Sequence, residues 1–193
     1  MKTINNRTTK YPINDIFLER YSARAMSGEN ISNDELMTLF EAARWTPSAN
    51  NLQPWRFIYT NTGTPEFESL LSSLADGNKT WCAKAGALIL VISQKIMSDG
   101  KENVNRHFDT GSAWENFALQ ASQMNLVVHP MAGFNHAVVK EKFSIPDDYS
   151  IEIMIAVGRP GKIEELPEGY RAYETPSGRR PLEEIVFEGK FPN

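Results

Sequence analysis

Three polar side chains at alternate positions are the first that could do chemistry. In "RYSAR", Arg20, Ser22 and Arg24 would project from one side of an extended segment, with Tyr21 and Ala23 on the other. Two guanidiniums around a hydroxyl suit a phosphate monoester, which they can grip through bidentate, charge-assisted bonds. A solvated charge pair at the end of a helix is the plainer reading of the same residues. A second basic pair, Arg179 and Arg180 in "PSGRRPLEEI", invites the same two readings. If both clusters converge, one anion accounts for them together.

A second stretch, "TPSANNLQPWRF", places Ser48, Asn50, Asn51 and Gln53 close together between Pro47 and Pro54. Asn and Pro initiate turns, and Pro54 would stop a helix, so a turn explains part of it. The excess of carboxamides asks for more. These groups donate and accept in a fixed plane, which suits a planar ligand with an imide-like edge.

Other sites are poorly supported. His107, His129 and His136 lack metal-ligand spacing, no G-x-G-x-x-G follows a strand, and neither a P-loop nor a G-x-S-x-G is present. Cys82, the one cysteine, reads as a small apolar residue even with Lys79 and Lys84 nearby. The chain thus offers groups to bind phosphate and amide edges without an obvious nucleophile or base. That combination points to a cofactor that brings its own chemistry.

The elements that must position these groups follow from periodicity. "ISNDELMTLFEAAR" reads as a helix opened by a Ser32/Glu35 capping box, with Leu36, Leu39, Phe40 and Ala43 on one face. A short helix is expected in "YPINDIFLERYSAR" with Pro12 near its first turn, and another in "TPEFESLLSSLADG" with Gly77 as its stop. A long helix from about Val104 to Asn125 is apolar on more than one side, which predicts burial in the core or in a subunit interface. Trp114 and Phe117 are expected at that interface. "NHAVVKEKFSI" adds a further helix. "WRFIYT", "ALILVIS", "LVVHPMAGF" and "IEIMIAVG" read as strands, giving four strands and helices in three layers. The tail after Gly158, rich in Pro, Gly and charge, reads as extended and exposed.

With 193 residues, 41% of them hydrophobic, the chain suits one domain over 1–193. A net charge of −4 argues against a nucleic-acid partner. No apolar run has the length to span a membrane and the N-terminal stretch has no secretory h-region, so a cytoplasmic protein is expected.

The residues also carry a resemblance. "RYSAR" resembles the R-R-S-x-R opening of the FMN-dependent nitroreductase family, and "TPSANNLQPWRF" resembles its A-P-S-x-x-N-x-Q-P-W-x-F signature. "NKTWCAKAGALILVIS", "DTGSAWENFALQASQMNL", "HPMAGF" and "RRPLEEIV" follow in the family's order, so the similarity covers almost the whole chain.

This resemblance implies an α+β homodimer with a central, mostly antiparallel sheet and C-terminal tails exchanged between subunits. Two non-covalent FMN molecules would lie between the chains, and the planar object would be the isoalloxazine ring. Arg20, Ser22 and Arg24 would hold the phosphate and the pyrimidine side. Tyr21 stands where many members have a second basic residue. Pro47, Ser48, Ala49, Asn50, Asn51 and Gln53 would come from the other subunit. Pro130, Met131, Ala132 and Gly133 would pass over the ring, although many members carry Glu-Gly in place of Ala132-Gly133. Asn78 would reach the ribityl chain, and Arg179 with Arg180 would close on the phosphate. The implied activity is reduction of small electron-poor acceptors, nitroaromatics or quinones, by NAD(P)H through ping-pong turnover, with no catalytic side chain required. A flavin-binding storage or regulatory protein, or a dehydrogenase- or dehalogenase-type member of the superfamily, stands beside it.

Overall fold

The structure, a computed structural model, describes residues 2–192. At its centre β4 (Ala87–Gln94) is buried almost throughout, as its unbroken apolar run requires. It lies between β3 (Trp55–Asn61) and β6 (Tyr149–Gly158), and β5 (Val127–Met131) completes the order β3-β4-β6-β5. Every pairing in this sheet is antiparallel. As an edge strand, β5 can accommodate Pro130, which has no N–H to give a second neighbour.

Alternate residues of β4 face opposite sides and build two cores. On one side Leu88, Leu90 and Ile92 meet Phe67 and Leu70 of α3 (Pro65–Ser73), Trp81 and Cys82 of α4 (Asp76–Cys82) and Val139 of α6 (His136–Lys142). On the other, Ala87, Ile89 and Val91 meet Leu36, Leu39 and Ala43 of α2 (Asn33–Arg44) and the small face of α5 (Arg106–Gln123). The result is an α+β, three-layer arrangement. Phe117 of α5 is fully buried among Phe40, Phe57 and Trp114, so it belongs to the chain's own core. Truncating it to Ala would cost about 3–5 kcal/mol. Trp114 is partly buried, and the exposed large apolar side chains of this region are Val104, just before the helix, and Phe108 in its first turn, 75% and 79% accessible.

Local signals set most boundaries. The capping box of α2 forms in both directions: Ser32 Oγ accepts the Glu35 N–H at 3.2 Å, and Glu35 Oε2 accepts the Ser32 N–H at 2.9 Å. α1 (Ile16–Glu19) begins later than Pro12, where Asn14 Oδ1 accepts the Ile16 N–H. Gly77 does not end a helix. The chain turns extended at Leu74 and Ala75, where Ser73 and Gly133 carbonyls bond the Asn135 and Ala75 N–H groups, and Gly77 lies inside the next helix. Its missing side chain has a use: a Cβ there would sit 2.7 Å from the Tyr170 hydroxyl. A hairpin of β1 (Lys2–Ile4) and β2 (Arg7–Thr9), turning on Asn5 and Asn6 with φ of 51° and 61°, has no counterpart in the periodicity reading.

The tail divides in two. Its first part folds back on its own chain through α7 (Glu168–Arg171), with Leu166 and Glu174 buried. Beyond, Leu182, Ile185, Val186, Phe187 and Phe191 are all exposed. Among the described residues no helix is long and apolar enough to cross a membrane.

Candidate functional site

After α1 the backbone turns extended at Arg20 and passes beside the edge strand β5. The His129 ring ties the two together, its Nδ1 lying 2.9 Å from the Ser22 carbonyl and 3.1 Å from that of Ala23. Two carbonyl acceptors require a proton on Nδ1. Burial first, and the Arg24 charge second, push the His129 imidazole below its ordinary range, so it is neutral at pH 7. Further on, Met26 forms a bridge with Pro160, and the Gly161 N–H donates to the Ala25 carbonyl. The approach is so close that a Cβ on Gly161 would lie 2.5 Å from the Met26 carbonyl carbon.

Arg20 and Arg24 do not share a partner. Arg20 Nε lies 3.6 Å from Glu115 of α5, whereas Arg24 turns toward the tail, 3.9 Å from Glu174. Tyr21 and Ala23 both pack into the core, as the alternation requires, while the two arginines reach different carboxylates. The Ser22 side chain is half-buried, and Tyr21 packs against the core, where burial and Glu174 raise its phenol pKa.

Arg20 does gather with other cations. Arg7, buried and overlooked in the sequence, donates from Nη1 to the Leu18 and Arg20 carbonyls and from Nε to the Ser177 carbonyl. It thereby fastens the hairpin and the tail to the end of α1. Its pKa is lowered by burial and then by the charges of Arg179 and Arg20, both of which lie near enough to oppose its own charge. Among the described residues Arg179 bonds the Ser177 and Gly178 oxygens alone. Arg180 is exposed and makes no ion pair among the described residues. A cationic cluster held mostly by neutral carbonyls, with Glu115 beside Arg20 as its nearest carboxylate, suits an anion.

The 46–53 loop sits elsewhere on α5. Ala49 donates its N–H to Asp109, and Asn116 donates to the Thr46 hydroxyl. Asn116 and Glu115 point about 100° apart around the helix, so the loop and Arg20 occupy different faces within one chain. Asn50, Asn51 and Gln53 all have left-handed backbones, with φ of 50°, 56° and 47°. Three non-glycine residues of this kind in four positions store strain, typical of a segment shaped for a ligand. Ser48 Oγ braces the turn by accepting the Gln53 N–H, and Arg56 holds the Gln53 carbonyl. The carboxamides of Asn50 and Asn51 make no hydrogen bond among the described residues, and both residues are exposed beside Pro47.

The 130–133 stretch meets Asn78. β5 ends at Met131, two residues before Gly133, whose carbonyl accepts the Ala75 N–H. The Asn78 Nδ2 would lie 3.4 Å from a Cβ on Gly133, so these two are neighbours. Ala132 and Gly133 are exposed, and Met131 is buried with its sulfur 3.3 Å from Cys82 Sγ. Burial pushes the Cys82 thiol far up, which leaves it unreactive.

The family model for the nitroreductase family matches residues 17–75 and 59–159, taking in the Arg20–Arg24 segment, the carboxamide loop and Gly133. The chain belongs to the nitroreductase family. A crystal structure described as an oxidoreductase containing FMN shares 36% identity, with a TM-score of 0.96 over 100% of this chain and 99% of that one. A provisionally named nitroreductase from Desulfovibrio desulfuricans, solved in complex with FMN, is 25% identical with a TM-score of 0.76, covering 95% of this chain and 100% of its own. Among curated relatives, a Streptomyces coelicolor protein provisionally named as an NADH dehydrogenase/NAD(P)H nitroreductase is 24% identical over 75% of this chain and 81% of its own.

Sequence reasoning missed Arg7, Tyr170 and Glu174; His129, without metal-ligand spacing, serves to fix a backbone. Arg7, Tyr170 and Glu174 lie outside the recognisable stretches, and no local pattern marks them.

Proposed function

We propose that this nitroreductase-family chain is an FMN-dependent oxidoreductase that takes electrons from NAD(P)H and passes them to small electron-poor acceptors such as nitroaromatics or quinones. The gathering of Arg7, Arg20 and Arg179 is the observation that carries this reading. Three guanidiniums with a lowered Arg7 pKa and mostly carbonyl partners fit the phosphate of FMN, which bears about −1.5 to −2 charges near neutral pH.

The remaining residues take their parts from this anchor. Arg20 and Arg179 hold the phosphate, while Arg7 keeps their backbones together. Arg24 and Asn78 serve the pyrimidine and ribityl side, near the Gly133 amide. Bound FMN supplies the hydride and electron chemistry, so no side chain has to act as nucleophile or base. Donor and acceptor compete for one open face, which gives ping-pong initial-rate patterns.

We further propose a homodimer in which the loop of residues 46–53 completes the partner's site. The unpartnered carboxamides of Asn50 and Asn51 support this, as do the exposed Val104 and Phe108 and the apolar tail beyond Leu182. The buried thiol of Cys82 fits a reducing, cytoplasmic setting.

The test begins with the visible spectrum of the purified protein. It should be yellow, and heat should release FMN. NAD(P)H oxidation should then accelerate when a quinone is added. Release of FAD, or a colourless protein after reconstitution with FMN, would sink the reading. A yellow protein that oxidises neither nicotinamide would mark a flavin carrier instead of an enzyme.

A further inference from the structure

Glu174 is unusual for a carboxylate in a tail. Its side chain is 1% exposed, and the whole residue is buried. Oε1 accepts the backbone N–H groups of Arg24 and Ala25 at 2.5 and 2.7 Å. Oε2 takes no hydrogen bond among the described residues and lies 3.9 Å from Arg24 Nη1. A buried carboxylate with one free oxygen is costly unless a nearby charge balances it. Arg24 is that charge, and its side chain remains 26% exposed, so a ligand can still reach it.

A second tail residue grips Arg24 from another side. Tyr170, one helical turn before Glu174, lies under the guanidinium with its ring centroid 5.8 Å from Cζ. Its hydroxyl is anchored on the Gly77 carbonyl at 2.7 Å, in the helix that carries Asn78. Arg24 also lines a narrow cleft with Thr80 and Trp81 of that helix. The tail therefore fixes both the position and the electrostatic balance of Arg24, from within the same chain.

We propose that Glu174 is a positioning residue that holds Arg24 in place and sets how much positive charge reaches the pyrimidine edge of FMN. This rests on the FMN reading above. With Glu174 ionised, the site offers a damped positive charge. Neutralising it leaves Arg24 unopposed, and a cofactor that gains negative charge on reduction is then favoured in its reduced form.

The experiment measures the midpoint potential and FMN dissociation constant of the full-length protein as wild type, Glu174→Gln, Arg24→Gln and the double variant. Glutamine keeps the shape and can still accept the two N–H groups. Glu174→Gln should retain FMN and raise its potential, with reduced FMN gaining about tenfold over oxidised, or ~30 mV for a two-electron couple. In the Arg24→Gln background the same change should lose at least half of that shift, because Glu174 acts through Arg24. Glu174→Asp, which keeps the charge, should show less than half the shift, and it serves alone if the glutamine variant does not fold. An unchanged potential in Glu174→Gln overturns the proposal, as does an undiminished shift without Arg24, or a shift in Glu174→Asp as large as tenfold. Wild-type protein that binds no FMN overturns the functional reading first, and this proposal with it.

Discussion

The segment of residues 20–26 and the loop of residues 46–53 satisfy their polar groups in opposite ways. The first is completed in its own chain: His129 holds its carbonyls, Glu174 its N–H groups, and Arg7 its entry. The second is braced through its backbone by Ser48, Arg56 and Asp109 but presents Asn50 and Asn51 outward. One region satisfies its polar groups within its own chain, and the other leaves two carboxamides without a hydrogen bond among the described residues. Left-handed backbones at Asn50, Asn51 and Gln53 sharpen the contrast, since three in four positions need the bracing that Ser48, Arg56 and Asp109 give. In a homodimer the two halves complete each other.

The largest expected effect comes from ending the chain at Gly178. That removes Arg179 and the exposed apolar tail while leaving the docked part with Glu174. Sedimentation should give a monomer, and FMN affinity should fall by more than two orders of magnitude, with the thermal transition little changed. A dimer that keeps FMN would show that the tail does not embrace a partner. Next comes Arg20→Ala, which removes a charge-assisted contact worth about 1.5–3 kcal/mol, or roughly tenfold to 150-fold in FMN affinity. Fluorescence titration with FMN measures it, and an unchanged constant would make "RYSAR" a structural segment only.

Asn50→Gly separates strain from recognition. Glycine accepts a φ of 50° without cost, so stability should hold or rise slightly. Loss of one neutral hydrogen bond should still weaken FMN by about twofold to tenfold. Equal affinity would remove Asn50 from the site.

The smallest effect concerns pH. The folded-state pKa of His129 is lowered by burial and Arg24, so the unfolded chain binds the extra proton first. Its contribution is fully present above the ordinary histidine pKa of about 6.5 and is lost as pH falls below it. Thermal stability should therefore decline on acidification from pH 7 to 5, by at most ~1.4 kcal/mol per pH unit for one proton. His129→Gln should flatten that slope. A slope that persists in the variant would assign it to other groups.

Much of the scaffold was legible because its signals are local. The capping box of Ser32 and Glu35, the apolar run of β4 and the helical face of α2 depend on neighbours within one turn or one strand. What could not be read depends on distant partners. The break between α3 and α4 is made by bonds to Gly133 and Asn135, which no window around Gly77 contains. Arg7 meets Ser177 across 170 residues, and Arg24 meets Glu174 across 150. Amphipathicity could not tell which apolar face of α5 met its own sheet, so Phe117 was expected at an interface and Phe108 went unremarked. The candidate binding residues were legible as types, but their grouping was not: Arg20 joins Arg7 and Arg179, and Arg24 joins the tail.

The central claim, that one FMN site is built from two chains, can be tested by complementation. One variant carries Arg20→Ala with Arg24→Ala and another Asn50→Ala with Asn51→Ala and Gln53→Ala, so that each holds FMN poorly as a homodimer. Differently tagged and co-expressed, they yield a heterodimer that can be isolated by tandem affinity. A two-chain site predicts that one pocket collects both lesions and the other neither. The heterodimer should then bind close to one FMN per dimer with near-wild-type affinity and reduce a quinone at a near-normal rate per bound FMN. Folded heterodimers with no high-affinity FMN would contradict the account, because a site made within one chain leaves a lesion in every pocket.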